Sequence, residues 1–207
     1  MYIPKLYREE DRGNILEFLR QNDFATLVTY DGEKPVASHL LMGIVEEGES
    51  LFIDGHMSRA NPHWKTFEKN PEVLVIFQGA HTYISPTWYN HVNVPTWNYQ
   101  SVHLYGKPRI ITEYGDAYAL LKRLVDRYES SSHYQLETLP EDFVTKEIKG
   151  IVAFQIEVTK IEANYKLSQN RKDEDYANII TQLEKRSDDL SHGVAEAMKE
   201  NRPEISR

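Results

Sequence analysis

The chain has 207 residues, 40% of them hydrophobic and 11% aromatic, which supplies a sizeable core and excludes a wholly disordered or fibrous protein. With 32 acidic against 24 basic residues the formal net charge is −8, so the chain as a whole repels phosphate backbones and anionic membranes, and a non-specific nucleic-acid coat protein is disfavoured. The absence of cysteine excludes a disulfide framework, a thiolate zinc site and a cysteine nucleophile together.

At ~150 residues per domain, one full domain with appendages is expected. Met1 to Glu10 has no apolar leader-like core, and no uncharged apolar run approaches the ~20 residues that a spanning helix needs, so a soluble cytoplasmic protein with no membrane partner is the expectation.

Arg8 to Asn22 carries Ile15, Phe18 and Leu19 at helical spacing behind an acidic first turn, which predicts an amphipathic helix. The period then changes. Phe24 to Tyr30 is rich in branched and aromatic residues, Asp31-Gly32 is a hairpin signal, Val36 to Val45 is apolar again, and Glu47-Gly48 leads into Leu51 to Ile53. Asn61-Pro62 caps and opens a short helix to Asn70, and Val73 to Phe77 reads as a buried strand. Leu104 to Thr112 is extended, Asp116 to Ser130 and Glu141 to Lys149 are helical, and Gly150 ends the second of these. Ile151 to Val158 is a strand that continues raggedly to Leu167, and Asp173 to Asp189 and His192 to Asn201 are helical. At least six strands joined by short turns, with helices between and after them, predict a mainly β protein with flanking helices (α+β), best fitted by an antiparallel barrel. Consecutive tight turns disfavour a doubly wound parallel sheet.

From Val73 to Gly106 there are 34 positions without Asp, Glu, Lys or Arg, where the chain-wide 27% predicts roughly nine. Its polar groups are hydroxyls, amides and histidines, which are buried far more readily than fixed charges. Such a stretch wants to be covered, by a partner subunit or by a planar ligand. Its two aromatic clusters, Tyr83 to Tyr89 with Trp88 and Val94 to Tyr99 with Trp97, suit either role, since flat apolar faces with polar edges serve stacking and interfaces alike.

Two further segments are candidates. The junction Asp54 to Pro62 runs from a strand through Ser58 and Arg59 into a helix start, where unpaired amides and a cation would hold a phosphate; a capped helix beside a surface arginine is the plain alternative. Tyr165 to Lys172, with Lys166, Gln169 and Arg171, is a polar and basic segment that closes over an anion or else is a solvated loop. Five histidines, at 56, 63, 81, 91 and 103, fall close together, yet no helical histidine pair or thiolate accompanies them, so metal binding is not expected. His39, alone in an apolar strand, reads first as a hydrogen-bonded core histidine. Nothing matches a Ser-His-Asp elbow, a phosphate-cradling glycine loop or a paired-carboxylate site.

Several blocks in order, Met1-Tyr-Ile-Pro4, His56-Met-Ser-Arg-Ala-Asn-Pro-His-Trp64, Tyr83-Ile-Ser-Pro-Thr-Trp-Tyr89, Val94-Pro-Thr-Trp-Asn-Tyr99 with His103, and Lys166-Leu-Ser-Gln-Asn-Arg171, resemble the PaiB family over nearly the whole chain. That family looks like a branch of the FMN-binding split-barrel flavoproteins. The resemblance implies a six-stranded antiparallel split barrel at 1–168, a helical extension at 169–207, a homodimer and FMN as cofactor. It implies that Ser58 and Arg59 hold the phosphate, that His39 replaces a missing cation or bonds a flavin edge, that Trp88 and Trp97 wall the ring, and that Lys166, Gln169 and Arg171 close the site. Oxidase members of the superfamily carry an arginine and a lysine on the second strand, where Val36 to Met42 offers only Ser38 and His39. The function implied is negative transcriptional regulation of protease synthesis and sporulation genes, with operator DNA as partner and a flavin- or redox-responsive signal. An FMN-dependent oxidoreductase and a cofactor-free dimeric module remain the alternatives. The sequence shows neither a helix-turn-helix signature nor a basic face, since Lys166 to Arg207 holds 8 basic and 9 acidic residues.

Overall fold

A computed structural model describes residues 1–205 and divides the chain into two compact units, one of residues 19–77 and 103–161, the other of residues 1–18, 78–102 and the chain from Glu162 onward. Three long strands, β5 (Val73–Ile84), β6 (Thr96–Ile111) and β7 (Ile151–Lys166), belong in part to each. Together with β1 (Arg8–Glu9), β2 (Phe24–Tyr30), β3 (Pro35–Glu47) and β4 (Ser50–Ser58) they make seven strands among the described residues, one more than the six expected.

The first unit is the barrel. Its strands run in the order β7-β4-β3-β2-β5-β6, and a further β6–β7 pairing joins the ends. The β2–β3 hairpin turns where Asp31 Oδ1 accepts the amides of Glu33 and Lys34, with Gly32 at φ +107°, a conformation that side chains resist. Along β4 the residues Leu51, Ile53, Gly55 and Met57 are buried among the barrel's apolar side chains, which include Leu27, Met42, Val75, Phe77, Leu104, Phe154 and Ile156. The ring closes tightly at Gly106, where a Cβ would fall 2.6 Å from Ile156 Cγ2 and closer still to the carbonyl oxygen of Glu157.

The other face of β4 carries Asp54, His56 and Ser58, whose partners on β7 are Gln155, Ala153 and Ile151. Helices α2 (Tyr114–Tyr128) and α3 (Glu141–Lys149) cover this face with Leu120, Leu124, Val144 and Ile148 packed around Ala153 and Leu41. Beneath them the buried Asp54 accepts from Gln155 Nε2 (2.8 Å) and pairs with Arg123 of α2, while Gln155 accepts from Arg109 (2.6 Å). The acid is thus compensated on both oxygens, as a buried charge must be.

The second unit holds both ends of the described chain. Here α1 spans Arg12–Gln21 rather than beginning at Arg8, because Asp11 Oδ1 caps the Asn14 amide (2.9 Å) and Glu9 Oε1 takes the amides of Glu10 and Asp11. That capping leaves Arg8–Glu9 extended, paired with Asn164 and Ala163 of β7, and so supplies the extra strand. Helices α4 (Asp173–Glu184) and α5 (Asp189–Asn201) are joined by Tyr176 Oη donating to the carbonyl of Met198 (2.7 Å). Gly193 of α5 lies against β5, where a Cβ would sit 2.7 Å from Ala80 Cβ. The segment expected to end as a strand at Phe77 continues to Ile84, and β6 begins at Thr96 rather than Leu104. Buried residues on β5 change phase between Gly79 and Thr82, and those opening β6 are Asn98 and Ser101, so neither extension carries the apolar alternation by which strands are read.

Gly106→Ala overpacks the barrel seam and should lower stability by about 1–3 kcal/mol, read as a shift of the denaturant midpoint. An unchanged midpoint would show that the β6–β7 seam is looser than this geometry.

Candidate functional site

The strand-to-helix junction of the barrel unit is held by neutral hydrogen bonds. Asn61 caps the 3₁₀ helix Pro62–Lys69 by accepting the amide of His63 (3.0 Å), and its Nδ2 donates to Ser38 Oγ on β3 (3.2 Å). His63, 2% exposed, sits with Nδ1 at 2.7 Å from Ser38 Oγ and Nε2 at 2.8 Å from Thr29 Oγ1. Thr66 Oγ1 lies 2.8 Å from Thr29 Oγ1 and 2.7 Å from the carbonyl oxygen of His63. Ser38, the His63 imidazole, Thr29 and Thr66 thus form one continuous run of contacts that ends on the His63 carbonyl. Burial pushes the imidazole's pKa down from the ordinary value and so disfavours its charged form.

This relay positions the turn after β4. Ser58 and Arg59 are solvent-exposed; Ser58 Oγ accepts the Ala60 amide (3.3 Å), which leaves the hydroxyl able to donate to another acceptor. Arg59 donates through Nε to the carbonyl of Lys149 (2.8 Å) and through Nη2 to that of Ile151 (2.7 Å). These bonds fasten β4 to the end of α3 and leave Nη1 for another acceptor. A phosphate oxygen fits that donor pair, one hydroxyl and one guanidinium edge, although carbonyls at a helix C-terminus reduce the positive potential there. His39 is exposed on β3, its Nδ1 3.0 Å from Thr26 Oγ1 and its ring stacked on Phe24 at 6.2 Å.

The remaining residues singled out in the sequence lie in the second unit. Trp88 is covered by the Arg186 guanidinium at 4.8 Å from its ring centroid, and its carbonyl accepts from Asn178 of α4 (2.6 Å). Trp97 is 51% exposed and meets Tyr83 edge-on at 6.4 Å and His81 at 6.3 Å. Lys166 donates to Thr96 Oγ1, and Arg171 lies over the Tyr89 ring at 4.7 Å. The amide of Gln169 is spent on its own turn, accepting from the Leu167 amide (2.8 Å) and donating to the Tyr165 carbonyl. The structure thus gathers Ser58 and Arg59 in one unit with His39 on its β3 strand, and Lys166 and Arg171 in the other with both tryptophans. Sequence reasoning identified Asn61 as the helix cap, as the structure has it, and missed Ser38 and His63 as ties to the junction and Tyr89 as the ring beneath Arg171, none of which has a local signal. Among the described residues no group of three His, Asp or Glu side chains is placed to hold a metal ion, and no helix is long and apolar enough to cross a membrane.

Residues 1–160 match the family model described as "Putative FMN-binding domain". The protein of Bacillus subtilis named protease synthase and sporulation protein PAI 2 is 41% identical over 202 residues, 97% of each chain. The chain belongs to the PaiB family of FMN-binding domains. FMN is the cofactor which that membership implies. Two solved structures share the split-barrel fold: the flavocytochrome Anf3 of Azotobacter vinelandii (16% identity, 79% of this chain and 72% of that one, TM-score 0.59) and the FAD and heme binding protein of Mycobacterium smegmatis (19% identity, 83% and 79%, TM-score 0.59).

Histidines whose charged form is disfavoured by burial make the PaiB-type barrel sensitive to acid. His56 is also pushed down by burial, and its Nδ1 has no hydrogen-bond partner. A histidine whose folded pKa lies below its unfolded value of ~6.5 binds a proton more readily once unfolded, so its contribution is complete above that pH and is lost as pH falls. Unfolding free energy should decline from pH 7 to pH 5, by up to about 1.4 kcal/mol per pH unit for each such histidine. Denaturation across that range on His63→Gln should show a shallower slope than wild type; equal slopes would mean that His63 titrates normally.

Proposed function

We propose that the chain is an FMN-binding homodimer that acts as a negative regulator of protease synthesis and sporulation genes, with operator DNA as its eventual partner and flavin or redox state as its signal. The observation that carries the cofactor part is the Ser58–Arg59 pair, fixed at the barrel's strand-to-helix junction with a hydroxyl proton and a guanidinium edge left unspent, in a chain whose family is that of FMN-binding domains. Support for the regulatory part is the 41% identity to the Bacillus subtilis protein over 97% of both chains.

Within this reading Ser58 and Arg59 hold the phosphate, and the chain Ser38-His63-Thr29-Thr66 keeps their turn rigid through Asn61. His39, exposed on β3, is a further polar contact. Bound FMN supplies a ring that accepts and returns electrons. With one cation rather than a cluster on the phosphate, affinity should be moderate, which suits a sensor that must release its ligand.

The homodimer is supported by the uncharged stretch. Val92 is fully exposed, Val94 is 67% exposed and Tyr83 38%, beside the half-exposed Trp97. An apolar group of this kind on a chain otherwise rich in charge marks an interaction surface.

Titration of FMN and of riboflavin isolates the phosphate. Ser58→Ala and Arg59→Ala should each weaken FMN by about 1 kcal/mol or more, roughly fivefold or greater, and leave riboflavin unaffected. Equal loss for both flavins, or no loss, would remove these residues from the phosphate. In sedimentation the wild type should be a dimer and Trp97→Glu a monomer; a monomeric wild type refutes the interface. Retardation of protease-gene promoter DNA at physiological salt tests the regulatory role, and its absence with flavin turnover present would favour an oxidoreductase.

A further inference from the structure

The second unit contains an arrangement that the phosphate reading does not use. After β7 the chain reverses at Ser168, a non-glycine residue at φ +63° that is 3% exposed and hydrogen-bonds Asn98 Oδ1 (3.0 Å). A serine in this conformation is strained, and strain of this kind persists where surrounding bonds over-determine it. Here they do: Gln169 braces the turn from within, and Arg202 donates to the carbonyls of Gln169 and Arg171 (3.2 Å to the latter).

What the braced turn presents is two cations with unfilled capacity. Lys166, half-buried, has its ammonium on Thr96 Oγ1, and its pKa is lowered by burial and then by the neighbouring Arg171. Arg171 lies over the Tyr89 ring, and its Nε is buried without a partner. The Tyr89 hydroxyl is also buried and makes no hydrogen bond of normal geometry, although the Arg171 guanidinium is close enough to favour its ionised form by charge and hydrogen bonding. Asp175, the acid whose charge reaches Tyr89, accepts the Asn90 amide through Oδ1 (2.8 Å), while its buried Oδ2 lies 3.2 Å from His91 Nδ1 and makes no hydrogen bond. A donor buried without a partner carries a desolvation cost and two adjacent cations repel, so a small anion bound to this set relieves both.

We propose that Lys166, Arg171 and Tyr89 form a receptor for a small oxyanion, a phosphate or carboxylate, that is separate from the phosphate of the flavin. Charge comes from the two cations, direction from Nε of Arg171 and the Tyr89 hydroxyl, and rigidity from the Ser168 turn. The ligand is a small acidic metabolite or free phosphate, and the site does not depend on whether flavin is bound.

The test is titration of inorganic phosphate at constant ionic strength, with chloride as the reference, into the flavin-free and the FMN-saturated protein, followed by calorimetry and thermal unfolding. Saturable binding is expected in both, weakened at least fivefold by Lys166→Gln and by Tyr89→Phe. The second variant keeps the ring beneath Arg171 and removes only the hydroxyl, so it tests the site even if Lys166→Gln does not fold. Binding that disappears when FMN is present, that survives both substitutions, or that does not exceed the chloride effect would overturn the proposal. Failure to bind FMN is read separately and would refute the flavin reading alone, since phosphate binding to the flavin-free protein would persist.

Discussion

Closure of the barrel by β6 against β7 is the constraint on which the barrel unit depends. The pairing leaves no room for a side chain at Gly106, so the two strands meet backbone to backbone, and β7 is held where β4 can pair along its other edge from Phe52 to Ser58. Because residues on a strand alternate between faces, that register decides what β4 sends in each direction. Leu51, Ile53, Gly55 and Met57 enter the core; Asp54, His56 and Ser58 go to the helix-covered side. A slip of one residue would bury Ser58 among apolar side chains and turn Ile53 outward. The polar junction is thus a consequence of strand register before it is a feature of local sequence.

Charge is handled differently at the two ends of that β4 face. Asp54 is fully compensated, by Arg123 on one oxygen and Gln155 on the other, and works as a tie between α2 and the barrel. At the junction that follows Ser58, the groups tied to Ser38 and Thr29 are an amide and an imidazole rather than charges. A relay of neutral groups fixes geometry without fixing charge, which leaves the electrostatic field at the junction to Arg59 and to whatever binds there. A buried ion pair in the same place would compete with an anionic ligand for its cation; the neutral relay does not.

Much of this architecture is legible in the chain itself, and the exceptions share a cause. The β2–β3 hairpin, the Asn61-Pro62 cap and the end of α3 at Gly150 rest on signals within a few residues, namely turn chemistry, capping and apolar period. The extensions of β5 and β6 are hidden because Thr82, Asn98 and Ser101 occupy buried positions where apolar residues are expected. Arg59 shows the same limit in the site. Its type and place suggest a phosphate ligand, yet its two bonds reach carbonyls ninety residues away, which no local pattern reports. Ser38, His63 and Thr29 meet through strand pairing, and Tyr89 meets Arg171 across more than eighty residues.

The two arginines at the candidate sites show why residue type alone is a weak guide to role. Both follow a strand end and both stand next to a serine-containing turn. Arg59 is exposed yet donates from two nitrogens to protein carbonyls, so a ligand there shares a cation already engaged in holding α3. Arg171 is more buried, stacked on an aromatic ring and short of a partner at Nε, so a ligand there would complete a hydrogen-bond set rather than divide one. Burial weakens screening and raises the penalty for an empty donor, and both effects act in the same direction. The position with the less conspicuous sequence context is therefore the one whose environment most strongly favours an anion.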